Sequence, residues 1–326
     1  MQQTWDVIIV GGGSAGLSAA LMLGRSRRRV LVLDEGRPRN RFAGHMHGVL
    51  GRDHSSPLAL LDDGRAELGR YDGVTLRSGV AVGAEAADDV APDAHAPASG
   101  FTLDLADGER LLARRLLVAS GLTDVLPDVP GLAEQWGRGA FVCPYCDGWE
   151  ARDRGVAVLA TSAAQVHQAQ LMRQLSDRVT VFAHGAQLPE EARAGLLARG
   201  IGIEDRAVAA VIADEAGALR GIRLDDGTEV ATDAIFAGPE PEPNDPVLRS
   251  LTVDRAAHPM GGEFAVVDAM GRTSVPGVWA AGNVTDPRSS VPYAMAAGSM
   301  AGAAINADLV EEEVRAALAA PSGREV

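Results

Sequence analysis

The stretch that most restricts the fold lies at the start of the chain. Trp5-Asp-Val-Ile-Ile-Val10 reads as a strand buried on both faces and runs directly into Gly11-Gly-Gly13-Ser14-Ala15-Gly16, after which Leu17 to Leu23 carries helix formers at helical spacing. Strand, glycine turn and helix in this order make a dinucleotide cradle. Gly11 allows the tight turn, Gly13 lets the backbone approach a pyrophosphate and Gly16 lets helix and strand pack closely. Ser14 and Ala15 open the helix whose N-terminal amides face the phosphates. A second strand, Val30 to Leu33, ends at Asp34-Glu35, where a carboxylate can accept from ribose hydroxyls. An acid there suits FAD or NAD and repels a 2′-phosphate.

The far end of the chain decides for FAD. Thr273 to Asn283 (TSVPGVWAAGN) reads as a turn, a short buried strand and then Gly282 with a polar side chain after it. Residues 294–310 form a small-residue helix able to lie close against a flat ligand. This section has no nucleotide fingerprint of its own, so it is expected to complete the site begun by residues 1–40. The cofactor-binding set read from the sequence is Gly11, Gly13, Ser14, Ala15, Gly16, Asp34, Glu35, Asn40, Val82, Gly121, Gly282 and Asn283, with FAD as the cofactor and no metal.

The chemistry centres on Cys143-Pro144-Tyr145-Cys146-Asp147, which holds the only two cysteines among 326 residues. Two cysteines at this spacing pass between dithiol and disulfide with little backbone movement, and a thiolate forms there more readily than at an isolated cysteine. A structural disulfide would be odd in a chain without a secretory signal. A zinc knuckle would need two further ligands, and none of the seven histidines stands at a matching spacing. His45 and His47 stand two apart in the Arg37–Pro57 loop, but the sequence places no carboxylate beside them, and they read as ordinary loop or flavin-side residues.

After the cysteines the first theme repeats: strand Gly155 to Leu159, helix Ala164 to Leu175, strand Arg178 to Phe182. The glycines do not repeat. Ala160-Thr-Ser-Ala-Ala-Gln165 carries side chains that would crowd a pyrophosphate, and Ala183-His184-Gly185-Ala186 has no basic cluster for a 2′-phosphate. Segments 74–82 and 101–105 alternate like an antiparallel meander, with 88–100 as a polar hairpin tip. The expected architecture is α/β: two Rossmann-like, three-layer ββα domains. Residues 1–120 and 243–326 form a discontinuous flavin domain, interrupted by a smaller pyridine-nucleotide-type domain at 121–242 that carries the cysteine pair.

Composition closes off other classes. A net charge of −14 argues against nucleic-acid or anionic-membrane surfaces, and the basic residues are all arginine, which removes lysine Schiff-base chemistry and a Walker-type lysine. No apolar run is long enough to span a bilayer and MQQTWDVIIV lacks a basic n-region, so a cytoplasmic protein is expected.

GGGSAG, CPYCDG and SVPGVWAAGNV, in this order over nearly the whole chain, resemble the low-molecular-weight thioredoxin reductase family. The resemblance implies that Cys146 contacts the flavin, Cys143 exchanges with substrate, Asp147 acts as general acid or base, and Gly282 and Asn283 hold the ribityl and pyrophosphate region, where the family usually has Asp in place of Asn283. It also implies a homodimer. The family's NADPH motifs are absent. Residues 166–177, the Pro-Tyr pair and Trp149-Glu150 instead look like the dithiol oxidases of the gliotoxin and holomycin type, many of which carry His where this chain has Asp147. Such enzymes close a disulfide in a small-molecule dithiol and pass electrons through FAD to oxygen. Phe141, Tyr145 and Trp149 read equally as a substrate wall or as core. The alternatives are a disulfide reductase fed by NADPH or ferredoxin, acting on a small-molecule disulfide or a thioredoxin-like protein, and a non-catalytic redox sensor.

Overall fold

The computed structural model describes residues 4–87 and 100–319. The expected hairpin tip therefore lies outside the described residues, apart from Gly100. The chain divides into two compact units, Met1–Arg39 with Leu58–Thr123 and Glu242–Val326, and Asn40–Pro57 with Asp124–Pro241. The loop 40–57, expected within the flavin domain, groups with the second unit.

In the first unit, β1 (Thr4–Val10) leads through the glycine turn into α1 (Ser14–Arg25) and on to β2 (Val30–Asp34). The strands Val7–Val10 and Val30–Leu33 pair in parallel, and β3 (Val74–Ser78) extends the sheet in parallel beyond β2. Helix α2 (Pro57–Leu68) connects β2 to β3. On the other side of β1 lies β6 (Arg110–Val118), also parallel. The first half of β6 pairs with the antiparallel hairpin β4 (Ala81–Ala87) and β5 (Gly100–Leu105), and its second half pairs with the buried strand Val278–Ala280. The antiparallel meander is therefore β4-β5-β6. Segment 74–78 is not part of it: it pairs in parallel with β2, and the apolar–polar alternation of its sequence says nothing about which way a neighbour runs.

Both faces of β1 and β2 are buried, which is why they read as unbroken apolar runs. One face packs on the long C-terminal helix Val291–Ala319 and on α1. Those two helices touch backbone to backbone. A Cβ added at Gly298 would lie 1.9 Å from the Ala15 carbonyl oxygen, and one at Gly302 would lie 2.8 Å from that of Ala19. The small residues of the C-terminal helix thus serve close packing on α1. Two buried arginines on β6 fix the far end of this helix: Arg114 reaches Asp6 at 3.1 Å and Glu312 at 2.7 Å, and Arg115 reaches Asp308 at 2.6 Å.

The second unit has a parallel sheet in the order 202–204, 179–182, 156–159, 234–237, 140–141. A separate antiparallel sheet of Val208–Ala213, Leu219–Leu224 and Glu229–Ala231 lies beside it. In the parallel sheet, strands 202–204, 179–182, 156–159 and 234–237 repeat the order β3, β2, β1, β6 of the first unit. Among the described residues no helix is long and apolar enough to cross a membrane.

Candidate active site

In the first unit the α1 N-terminus is built to receive an anion. No side chain caps it, and a Cβ at Gly13 would meet nothing within 4 Å. The first-turn amides therefore face open space. Gly16 differs, since its added Cβ would stand 1.9 Å from the Gly11 carbonyl oxygen. Gly11 has φ +108°, and Gly282 has φ +81° with its open side 3.1 Å from the Ala15 Cβ. Ser14, Ala15, Gly16, Gly282 and Asn283 are thereby gathered at one place. The Asn283 amide nitrogen is engaged, donating to the carbonyls of Asp286, Pro287 and Ser289 at 3.0–3.2 Å.

A cavity of about 400 Å³ adjoins this turn, lined by Gly12, Asp34, Glu35, Arg65 and Arg77 among others. Asp34 accepts from Arg65 at 2.9 Å and from the Gly36 amide at 3.2 Å, so the acid expected to take ribose hydroxyls is already partly engaged. Arg77 Nη2 is buried in the same unit without a partner. An orphaned donor, an uncapped helix and an open glycine fit the adenosine and pyrophosphate of a flavin dinucleotide. Gly121, with φ +72°, stands just past β6, and Val82 is exposed on β4. Asn40 falls in the second unit, in a turn closed by the Ala43 amide donating to the Asn40 carbonyl at 3.1 Å.

Cys143, Cys146 and Asp147 stand together in the second unit on a single helical turn, Pro144–Asp147, with Cys143 at its N-cap and Pro144 at the first position, where its missing N–H costs nothing. Gly148 ends the turn so closely that a Cβ would lie 2.3 Å from the Pro144 carbonyl oxygen. Gln168 Nε2 donates to the Val142 carbonyl at 2.6 Å and holds the incoming strand. The two cysteines are not joined in a disulfide, and both are half-buried. The Cys143 thiol is lowered to about 7, because it accepts the Cys146 S–H and the backbone N–H groups of Cys146 and Tyr145. Burial pushes Asp147 up to about 6, helped by the negative charge of Glu150 and opposed by His47.

The sequence brings out neither Glu150 nor His47 as a neighbour of Asp147. His47 comes from a loop about a hundred residues earlier and carries no motif of its own. Of the three nearby aromatics, Phe141 packs inward on Phe236, with ring centroids 5.8 Å apart, whereas Tyr145 and Trp149 are 80% and 62% exposed.

The second unit's counterpart of the glycine turn is plugged. Gln165 Oε1 accepts from the Ser162 amide and hydroxyl at 3.0 and 3.1 Å, and its amide nitrogen lies only 2.1 Å from where a Cβ on Gly238 would stand. Counted from the end of the preceding strand, Ser162 stands where the first unit has Gly13 and Gln165 where it has Gly16. The crowding expected at 160–165 thus comes from one side chain.

The pyridine nucleotide-disulphide oxidoreductase family matches residues 5–301. The protein called thioredoxin reductase sirT from Leptosphaeria maculans is 32% identical, with 93% of each chain covered. The one called thioredoxin reductase tcpT from Claviceps purpurea is 31% identical over 94% of this chain and 95% of its own. Among solved structures, HlmI is 40% identical with a TM-score of 0.89, covering 97% of this chain and 95% of that one. With a cysteine pair on a helical turn and a nucleotide cradle of the kind this family shares, the chain belongs to the pyridine nucleotide-disulphide oxidoreductases and is a thioredoxin-reductase-like, flavin-dependent thiol–disulfide oxidoreductase.

Proposed function

We propose that the protein is a dithiol oxidase, forming a disulfide in a small-molecule dithiol. The observation that carries this reading is the Gln165 plug, which leaves the second unit without the open helix N-terminus that a pyridine nucleotide would need.

In the oxidised state a substrate thiolate attacks Cys143 Sγ; the Cys143–Cys146 bond breaks and a mixed disulfide forms. The second substrate thiol attacks the substrate sulfur of that mixed disulfide, and Cys143 leaves as thiolate. A thiol lowered to about 7 is a good leaving group near neutral pH. The product carries the new disulfide, and the two electrons remain on the cysteine pair as a dithiol. Gly11 to Gly16, Asp34 and Gly282 would hold FAD, which would supply the two-electron acceptor that restores the disulfide, with oxygen as the terminal acceptor. Asp147 takes the proton of the incoming thiol.

That last role has a pH signature. With Asp147 raised to about 6, its base form is depleted below that value and prevails above it. The kcat/KM for dithiol oxidation should therefore rise with pH through about 6, and Asp147→Asn should abolish this limb while lowering the rate about 10²-fold or more. A variant that kept the limb would exclude Asp147 as the base.

The direction of the reaction is tested without oxygen. Mixed anaerobically with NADPH, NADH or a small dithiol in turn, the yellow protein should be bleached by the dithiol alone, and air should restore the colour with release of peroxide. Prompt bleaching by NADPH or NADH would make it a reductase.

A further inference from the structure

The loop 40–57 and the turn after the cysteines meet in a side-chain cluster beside Asp147, to which the proposed mechanism gives no covalent or proton-transfer role. Met46 and Ser55 form an antiparallel bridge, with the Met46 amide donating to the Ser55 carbonyl at 2.8 Å and the His54 amide to the Met46 carbonyl at 3.0 Å. The bridge sets His54 beside both histidines of the His-Met-His run. The His54 ring stacks on His45 at 4.1 Å and stands 5.4 Å from His47. His54 adopts φ +62°, a left-handed conformation that a non-glycine residue rarely holds without cause.

From these positions we propose that His47, His54 and Glu150 form a binding site for one divalent transition-metal ion of zinc type. One ligand atom from each lies within 4.8 Å of the others. His47 Nε2 and Glu150 Oε1 are 3.4 Å apart. Metal–ligand bonds of about 2.0–2.2 Å put neighbouring donors of a tetrahedron about 3.3–3.6 Å apart, so this pair already stands at ligand spacing. The other nitrogen of His47 faces the Asp53 carboxylate at 3.4 Å, and Asp53 is itself held by the Gly48 amide at 3.0 Å. A carboxylate behind the distal nitrogen is the arrangement that fixes the orientation and tautomer of metal-bound histidines. Independently, Glu150 Oε2 is buried with no hydrogen-bond partner. A carboxylate oxygen withdrawn from water without a donor is costly, and a cation would satisfy it. Two imidazoles and one carboxylate suit zinc and leave a fourth position for water.

The site is tested by titrating zinc into the flavin-loaded protein by calorimetry. The Cys143→Ser/Cys146→Ser double variant serves as the background, so that thiolate binding is removed. It should take up one equivalent. His54→Ala and the isosteric Glu150→Gln, made in that background, should each weaken binding about 10-fold or more, and Asp53→Asn should weaken it about 10- to 100-fold through His47. Retained yellow colour and an unchanged Tm report that each variant is folded. Zinc uptake that disappears with the cysteines, or that neither His54→Ala nor Glu150→Gln weakens, overturns the assignment.

Discussion

Cys143→Ser should lower turnover on any dithiol by on the order of 10⁴-fold or more, the scale on which removing a covalent nucleophile acts, while leaving the protein folded and yellow. The position makes the substitution clean. Cys143 is the N-cap of the turn Pro144–Asp147, a place that serine fills at least as well as cysteine. The strand before it stays fixed by Gln168. What is lost is the sulfur. A hydroxyl held by the same three donors that lower the thiol to about 7 still cannot form or break a disulfide, so no mixed disulfide arises and Cys146 has no partner to close on. Cys146→Ser should cost as much, since the pair works as a unit. Reaction of the reduced variants with an activated disulfide, read by mass spectrometry, separates the two. The Cys146→Ser protein retains a thiol at 143 that can be trapped as a mixed disulfide with an activated disulfide probe, whereas Cys143→Ser should give no adduct at that position. Near-normal turnover by Cys143→Ser would remove this residue from the mechanism.

The nucleotide cradle and the cysteine turn were legible because their signals are local. A buried parallel strand reads as an apolar run, and the glycines at 11, 13 and 16 each answer a separate backbone need. The second parallel sheet was legible for the same reason, its strands at 156–159, 179–182 and 234–237 being short, apolar and bounded by turns. Features that depend on distant partners were not. The grouping of 40–57 with the second unit rests on contacts such as His47 with Glu150, which no spacing encodes. Helix α2 is weakly amphipathic and contains Gly64, so its periodicity is blurred, and it is defined instead by Pro57 at its start and by Gly64 packing against Leu17. The segment 74–78 alternates apolar and polar residues in sequence, and alternation says nothing about whether its partner runs parallel. Crowding at 160–165 could be read, but the choice of Gln165 as the plug depends on Gly238, which arrives from another strand end.

Two alanine substitutions one turn apart should separate what the glycines do for the fold from what they do for the ligand. Gly16→Ala should destabilise the protein by about 3 kcal/mol, at the upper end of overpacking costs. The added methyl would stand 1.9 Å from the Gly11 carbonyl oxygen and 3.0 Å from its carbon. Both are backbone atoms at the base of the turn and cannot rotate aside. Relief would require α1 to move off the sheet, but α1 is held on its other side by Gly298, where the C-terminal helix leaves no more room. Gly13→Ala should behave oppositely. Gly13 has φ −79° and ψ −172°, values open to alanine, and nothing stands within 4 Å of the new methyl. The stability of the flavin-free protein should change by no more than about 0.5 kcal/mol. Flavin retention should nonetheless fall, because the methyl occupies the approach of the pyrophosphate to the helix amides. Denaturant unfolding of the flavin-free proteins, together with the flavin-to-protein absorbance ratio of the proteins as purified, reads both effects. If Gly13→Ala kept a full complement of flavin, the pyrophosphate would not lie over this turn, and the nucleotide would have to be placed elsewhere in the first unit. If it instead lost stability without flavin as severely as Gly16→Ala, the open space over Gly13 would be filled in solution by the chain itself.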